Sequence, residues 1–295
     1  MCKAIYKIAG HIISFKNASA YLAKSCRGYE ADAADGPPEA ELEISVEDIE
    51  YERAKQNAER CCSEAEDKEQ EWNYSDHYLE FLAALRKLGE WMPTENVVLC
   101  HGAAISLSDG NGEAGYIFMA PSGIGKTTHI QLWKKYLGSD VKVVNGDKPF
   151  IAYENGKIWI YGSPWAGKEK MHLNTKVPLC GICFIRRASE NHTERIASDK
   201  ALKPLLKQIY IPQGSTVVEK TLEMAEVILE NVPVYCLYCN ISEEAVKNSY
   251  EALTGKRYGR QMIDGGICID GGICNEAGES GNRECGREEP GQSIR

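Results

Sequence analysis

Ala120-Pro121-Ser122-Gly123-Ile124-Gly125-Lys126-Thr127-Thr128 stands between an apolar run and an amphipathic one. Upstream, Tyr116-Ile117-Phe118-Met119 has the length and apolar content of a buried strand. Downstream, Ile130, Trp133 and Leu137 recur at i, i+3 and i+7, one face of a helix that Gly138 ends behind Lys134 and Lys135. Strand, glycine turn and helix together make the setting in which successive backbone N–H groups and the positive end of a helix face an anion. Lys126 adds a mobile charge there, and Thr127 offers a hydroxyl to Mg²⁺. On this reading Pro121, Ser122, Gly123, Ile124, Gly125, Lys126, Thr127 and Thr128 surround the phosphates of a nucleotide. The strict pattern opens with Gly where this chain has Ala120, while Gly123 and Gly125 keep the positions of close backbone approach.

Val141-Lys142-Val143-Val144 reads as the next strand, ending in Asn145-Gly146-Asp147-Lys148-Pro149. An acid at the C-terminal edge of a neighbouring strand is where an open α/β sheet places ligand chemistry. Asp147 is therefore expected to hold a metal ion or to orient an attacking hydroxyl. Further on, Gly162-Ser163-Pro164-Trp165-Ala166-Gly167-Lys168-Glu169-Lys170 reads either as a loop with a task carried by Trp165, Lys168 and Glu169, or as a surface connection with a packed Trp165 and a solvated Lys-Glu pair.

The order His101-Gly102, strand, Ser-Gly-Ile-Gly-Lys-Thr, helix and acid-ended strand resembles the kinase core of HPr kinase/phosphorylase and its distant relative phosphoenolpyruvate carboxykinase. It is most similar to small HPr-kinase-related proteins, over roughly residues 95–250. The resemblance implies an α/β fold with a P-loop kinase core and a mixed sheet, preceded by a smaller α+β region. It implies ATP and Mg²⁺ as cofactors, with Lys126 and the loop on the phosphates and Thr127 on the metal. Asp147 falls on the family's proton-accepting acid, His101 on its active-site His, and Glu169 near its second Mg²⁺-binding acid. Two departures stand out: Gly146 replaces the first acid of the family's Asp-Asp pair, and the Arg-bearing signature of HPr kinase itself is absent.

A net charge of −9 and the lack of a basic cluster argue against a nucleic-acid partner held by phosphate neutralisation. No run approaches the ~20 apolar residues of a membrane span, and the N-terminus lacks a signal-like apolar stretch, so a cytoplasmic protein is expected. The 12 cysteines include Cys180-Gly-Ile-Cys183 and Cys236-Leu-Tyr-Cys239. Residues i and i+3 of a strand face opposite sides of a sheet, so these pairs are expected to be buried and reduced rather than to share zinc.

Tyr6, Ile8, Ile12 and Phe15 suggest short strands, and Gly36-Pro37-Pro38 a turn. Ser45-x-x-Asp48 opens an acidic helical stretch that carries ten acids against four bases to Glu71. Tyr78, Phe81, Leu82, Leu85, Leu88 and Trp91 make a helical stripe ended by Pro93, followed by the strand Val97-Val98-Leu99. Asn155-Gly156 reads as a hairpin turn, residues 177–185 and 234–237 as strands, and 201–210, 219–229 and 243–253 as helices. The expected organisation is a small N-terminal region at 1–77, a nucleotide-binding domain at 78–255 and a disordered tail at 256–295, which holds the doubled hexad Ile-Asp-Gly-Gly-Ile-Cys.

The function expected is ATP-dependent transfer of a phosphoryl group to a hydroxyl, serine by resemblance, on a protein, a peptide or the free amino acid. The alternative is a nucleotide-binding regulatory module with weak turnover. A homo-oligomer is an option under either, and neither nucleic acid nor membrane is an expected partner.

Overall fold

The computed structural model describes residues 4–62, 74–108, 110 and 112–259. Residues 1–258 form one compact unit, and no division between compact units falls at residue 77. The stretch 260–295 with its doubled hexad, and 63–73 of the acidic stretch, lie outside the described residues. At the expected boundary of 256 the chain still makes contacts: Tyr258 Oη donates to Glu243 (3.0 Å), its N–H donates to Glu251 (3.0 Å), and its ring meets Tyr250 edge-on.

The N-terminal layer begins with the hairpin β1 (Ala4–Ile8) and β2 (His11–Lys16), turned at Ala9 and Gly10, both at positive φ. A short helix α1 (Ala20–Ser25) follows, and β3 (Ala40–Glu43) pairs parallel to β2. Neither α1 nor β3 is marked in the sequence by a clear period. Helix α2 (Val46–Cys62) starts where Ser45 and Asp48 exchange side chain-to-backbone hydrogen bonds, a capping box with Asp in the usual Glu place. Helix α3 (Asp76–Trp91), capped by Ser75, turns Leu79, Leu85 and Leu88 inward. Its apolar side joins Tyr6, Ile8, Phe15 and Leu22 to Leu99 and Phe150, so the N-terminal layer shares a core with the large sheet.

The large sheet has nine strands of mixed direction. β4 (Val97–Leu99), β5 (Ala103–Ser108) and β6 (Glu113–Met119) precede the glycine loop, and α4 (Lys126–Leu137) follows it. Then come β7 (Val141–Asn145) and the hairpin of β8 (Phe150–Glu154) and β9 (Lys157–Tyr161). The long β10 (Lys176–Arg187) pairs with β9 at its start, β6 along its middle and β12 (Val234–Cys239) towards its end. β11 (His192–Ile196), absent from the sequence reading because it is half exposed and polar, closes the edge on β12. α5 (Ser198–Leu206), α6 (Ser215–Asn231) and α7 (Glu243–Thr254) complete the chain.

Period 2 along β6 sorts the two faces. Ile117 and Met119 join α5 and α6 through Leu205 and Ile228, whereas Tyr116 and Phe118 join α4 and α7 through Trp133 and Tyr250. Among the described residues no helix is long and apolar enough to cross a membrane.

β7 is not the neighbour of β6. β5 lies between them, antiparallel to both, and the strand that leads to Asp147 pairs on its outer edge. The hairpin at residues 108–113 inserts β5 there, and this corrects the sequence expectation of adjacent strands. It also sets the N-terminal end of β5, and with it His101, between the glycine loop and Asp147. The cysteine expectation needs one correction: Cys183, Cys236 and Cys239 are buried, but Cys180 is exposed where β10 passes from β9 towards β12. Among the described residues no cysteine joins a group of metal ligands; the grouping of that kind is His11, Glu39 and Glu95, largely exposed in the N-terminal layer.

Candidate active site

The loop after β6 is held open by backbone geometry. Gly123 sits at φ +79° and Gly125 at φ +124°, and a Cβ on either would meet nothing within 4 Å. These glycines are needed for conformation, and the space beside them is free for a ligand. Gly125 is the N-cap of α4 and no side chain caps the helix, so the first-turn N–H groups have no intrahelical partner. Arg187, at the end of β10, donates from Nε to Ile124 O (3.1 Å) and from Nη2 to Gly123 O, which ties the loop's carbonyls to the sheet. Sequence reasoning missed Arg187; its one signal was a charged residue at the carboxyl end of an apolar strand.

Lys126 is the buried member of the loop. Its Nζ donates to Ala120 O at 2.8 Å and lies 3.0 Å from His101 Nε2. Burial pushes its pKa down to about 8; the Asp147 carboxylate opposes that fall and the Lys148 charge adds to it. Pro121 and Ser122 are exposed at the loop tip, Ile124 and Thr128 are half-buried, and Thr127 is half-buried with its hydroxyl unpartnered among the described residues.

His101 is fixed through its backbone. Its N–H donates to Gln208 O (2.7 Å), and the next residue, Gly102, donates to Asp147 O (3.0 Å). Asp147 is presented by Asn145, whose side-chain Oδ1 accepts from the N–H groups of Asp147 (2.8 Å) and Lys148 (2.7 Å) in an Asx turn. Asn145 is itself fully buried and donates to Ser163 O. The sequence carried this signal, an Asn closing a strand before Gly-Asp.

The Asp147 carboxylate lies 3.2 Å from His101 Nε2 and 2.9 Å from Lys148 Nζ. Burial raises its pKa, but the hydrogen bond from His101 and the charge and hydrogen bond of Lys148 outweigh that and bring it to about 2. The structure thus joins Lys126, His101 and Asp147, three of the residues singled out in the sequence, in one contiguous polar group.

Glu169 is not joined to it. It is exposed in the turn at 167–170 and makes no hydrogen bond or ion pair with the described residues. The turn does begin against the site, since a Cβ on Gly167 would lie 3.1 Å from Asp147 Cβ. Trp165 proves to be the packed residue of that loop: it stacks on Phe81 with ring centroids 4.9 Å apart and donates from Nε1 to Phe81 O (2.7 Å). At position 146 a Cβ would sit tightly against Ala166 O (3.3 Å) and in ordinary contact with Met171 O (3.5 Å), and Gly146 N–H donates to Met171 O.

The donors present fit a magnesium nucleotide. The open N–H groups and Lys126 suit phosphate oxygens, and the Thr127 hydroxyl and Asp147 carboxylate are hard oxygen ligands of the kind Mg²⁺ takes.

No protein-family model and no curated protein matches this sequence. Among solved structures, the chain is similar to the Hpr(Ser) kinase/phosphatase from Coxiella burnetii, with 10% identity over 53% of this chain and 93% of that one, at a TM-score of 0.31.

Proposed function

We propose that this protein is a phosphotransferase that moves the γ-phosphoryl group of ATP to a hydroxyl, in the cytoplasm, with serine in a protein, a peptide or the free amino acid as acceptor. The observation that carries the reading is the contiguity of Lys126, His101 and Asp147 beside an uncapped helix N-terminus and two positive-φ glycines. Phosphoryl transfer asks little covalent chemistry of a protein; positioning and charge neutralisation supply most of the effect.

The loop N–H groups and Lys126 would hold the β- and γ-phosphates, with Lys126 exchanging its contact to Ala120 O for phosphate. Mg²⁺, held by Thr127 and Asp147, supplies charge neutralisation across those phosphates when bound. Asp147 would orient the acceptor hydroxyl and take its proton late, because a carboxylate with a pKa near 2 is a weak base in the ground state. His101 holds Asp147 in place.

One observation favours a second reading, a nucleotide-binding regulatory module. Both carboxylate oxygens of Asp147 already have cationic or imidazole partners in the protein, so part of their accepting capacity is taken before any ligand binds. Screening serine, peptides and small proteins for label from [γ-³²P]ATP, alongside MgATP titration calorimetry, tests the choice. Labelling of an acceptor supports the kinase; nucleotide binding with no acceptor labelled supports the module.

A further inference from the structure

A cavity of about 520 Å³ opens beside Ala120, Pro121 and Ile124 of the phosphate loop and runs on to the end of α5. Its floor is apolar, with Phe184 and Ile196, and its walls carry Arg186, Arg187, Lys203 and Lys207 without a single lining carboxylate. In a chain of net charge −9 this is a local reversal of sign. Arg187 is committed to the loop carbonyls. The other three form no ion pair with the described residues; Arg186 only overlies the Tyr238 ring at 5.8 Å. Lys203 and Lys207, spaced i, i+4 at the end of α5, face the same way around Pro204. A like-charge pair at that spacing is mildly unfavourable, and an anionic ligand would reverse the sign of the interaction.

Lys126, His101 and Asp147 do not line the cavity, but the backbone carbonyls of two of its lining residues hold Lys126 and His101. Ala120, on its wall, takes the Lys126 hydrogen bond through its carbonyl, and Gln208, also on its wall, takes the His101 N–H. Gln208 is more than nine-tenths buried, and its side-chain Oε1 has no partner in the protein. A second cavity, on the α4 side, shares Ile124, Ile185 and Arg187 with this one and is lined further by Gly123, Gly125, Thr128 and Leu132.

We propose that the phosphoryl acceptor is a small molecule that carries, besides its hydroxyl, an anionic group of carboxylate or phosphate type, bound by Arg186, Lys203 and Lys207 in this cavity. The inference rests on the kinase reading for its chemistry and on the cavity for its selectivity. In the step itself the acceptor oxygen bonds to the γ-phosphorus while the bond from that phosphorus to the β–γ bridging oxygen breaks. ADP leaves with the electron pair, and the hydroxyl proton passes to Asp147 and on to water.

The experiment uses the full chain, saturating Mg[γ-³²P]ATP and matched acceptor pairs: L-serine against L-serinamide, and glycerol 3-phosphate against glycerol. One anionic member should exceed its neutral partner at least tenfold in kcat/KM, and which pair responds separates carboxylate from phosphate. The preference should collapse in the double variant Lys203→Glu/Lys207→Glu and weaken in Lys203→Gln/Lys207→Gln, with the Kd for MgATP unchanged. Equal use of neutral and anionic members, a preference that survives in the variants, or a loss confined to MgATP affinity would overturn the proposal. If nothing is labelled, equilibrium dialysis of L-[¹⁴C]serine and [¹⁴C]glycerol 3-phosphate with a non-hydrolysable ATP analogue decides. Binding that the double variant loses keeps the anion site and sinks the kinase; absence of binding by both overturns the anion site.

Discussion

Lys126 Nζ lies 3.0 Å from His101 Nε2, which places a loop lysine and a strand-end histidine within one hydrogen bond. The same ring nitrogen lies 3.2 Å from Asp147 Oδ1. A single nitrogen cannot accept from an ammonium and donate to a carboxylate at once, so either the lysine or the aspartate holds the histidine proton arrangement at a given moment. Phosphate would draw Lys126 away, and His101 would then serve Asp147 alone. On the kinase reading, nucleotide binding would thereby be coupled to the placement of the acid.

Lys126→Ala removes a charge-assisted contact to phosphate and should weaken MgATP binding roughly 10- to 100-fold. It also removes a cation whose burial disfavours its charge, so the melting temperature should stay level or rise. Titration calorimetry with a thermal melt checks both, and an unchanged Kd would remove the loop assignment.

The same lysine predicts a pH dependence. Its folded pKa, about 8 against an ordinary 10.5, means that between those values the unfolded chain binds more protons than the folded one, so its contribution to stability rises with pH there. Phosphate affinity runs the other way, since the charged form binds. MgATP affinity should be flat below about pH 7 and fall as pH passes 8, while Lys126→Arg, charged throughout, should lose that fall. Asp147 acts only at the acid end: its depressed pKa gives stability above an ordinary 3.8 that is lost as pH drops to about 2. A parent and an arginine variant with the same alkaline profile would show that Lys126 does not set it.

Trp165→Ala should cost about 3–5 kcal/mol, the range for removing a buried large aromatic side chain. The loss reaches the site as well as the core, because Trp165 fastens the 163–171 loop to α3 and Asn145 reaches into that loop to present Asp147. Urea denaturation gives the stability change. A loss below 1 kcal/mol would mean that the loop holds without its anchor.

The glycine loop, its flanking strand and helix, and the acid-ended β7 were legible because each rests on local rules: phosphate-loop spacing, helical period and strand length. The capping box at Ser45 and the Asn155-Gly156 hairpin were legible for the same reason. Tertiary facts were not. The insertion of β5 between β6 and β7 depends on which edge β7 chooses, and the sequence carries no mark of that choice. β11 is polar and half exposed, so its alternation is faint. Arg187 and Asn145 act by reaching backbone atoms distant in the chain, and only folding brings those partners near. The expected role of Glu169 rests on loop composition and resemblance, and among the described residues no hydrogen bond or ion pair joins it to Lys126, His101 or Asp147.

Asp147 is where the kinase and the binding module separate. If it orients the acceptor hydroxyl, Asp147→Asn keeps the shape of the side chain but loses its charge and proton affinity, and kcat/KM for the acceptor should fall by about 10²-fold or more. Nucleotide affinity should then change little, because Thr127, Lys126 and the loop N–H groups still face the phosphates. If Asp147 is chiefly a metal ligand, MgATP affinity falls too and excess Mg²⁺ restores part of it. The variant also gives up the charge that His101 and Lys148 face, so urea denaturation accompanies the kinetics to separate a loss of stability from a loss of turnover. Steady-state labelling of the acceptor found in the screen, with calorimetry at two Mg²⁺ concentrations, distinguishes the outcomes. An Asp147→Asn variant that labels its acceptor at the parent rate would exclude Asp147 from the chemical step and leave the nucleotide-binding module as the reading.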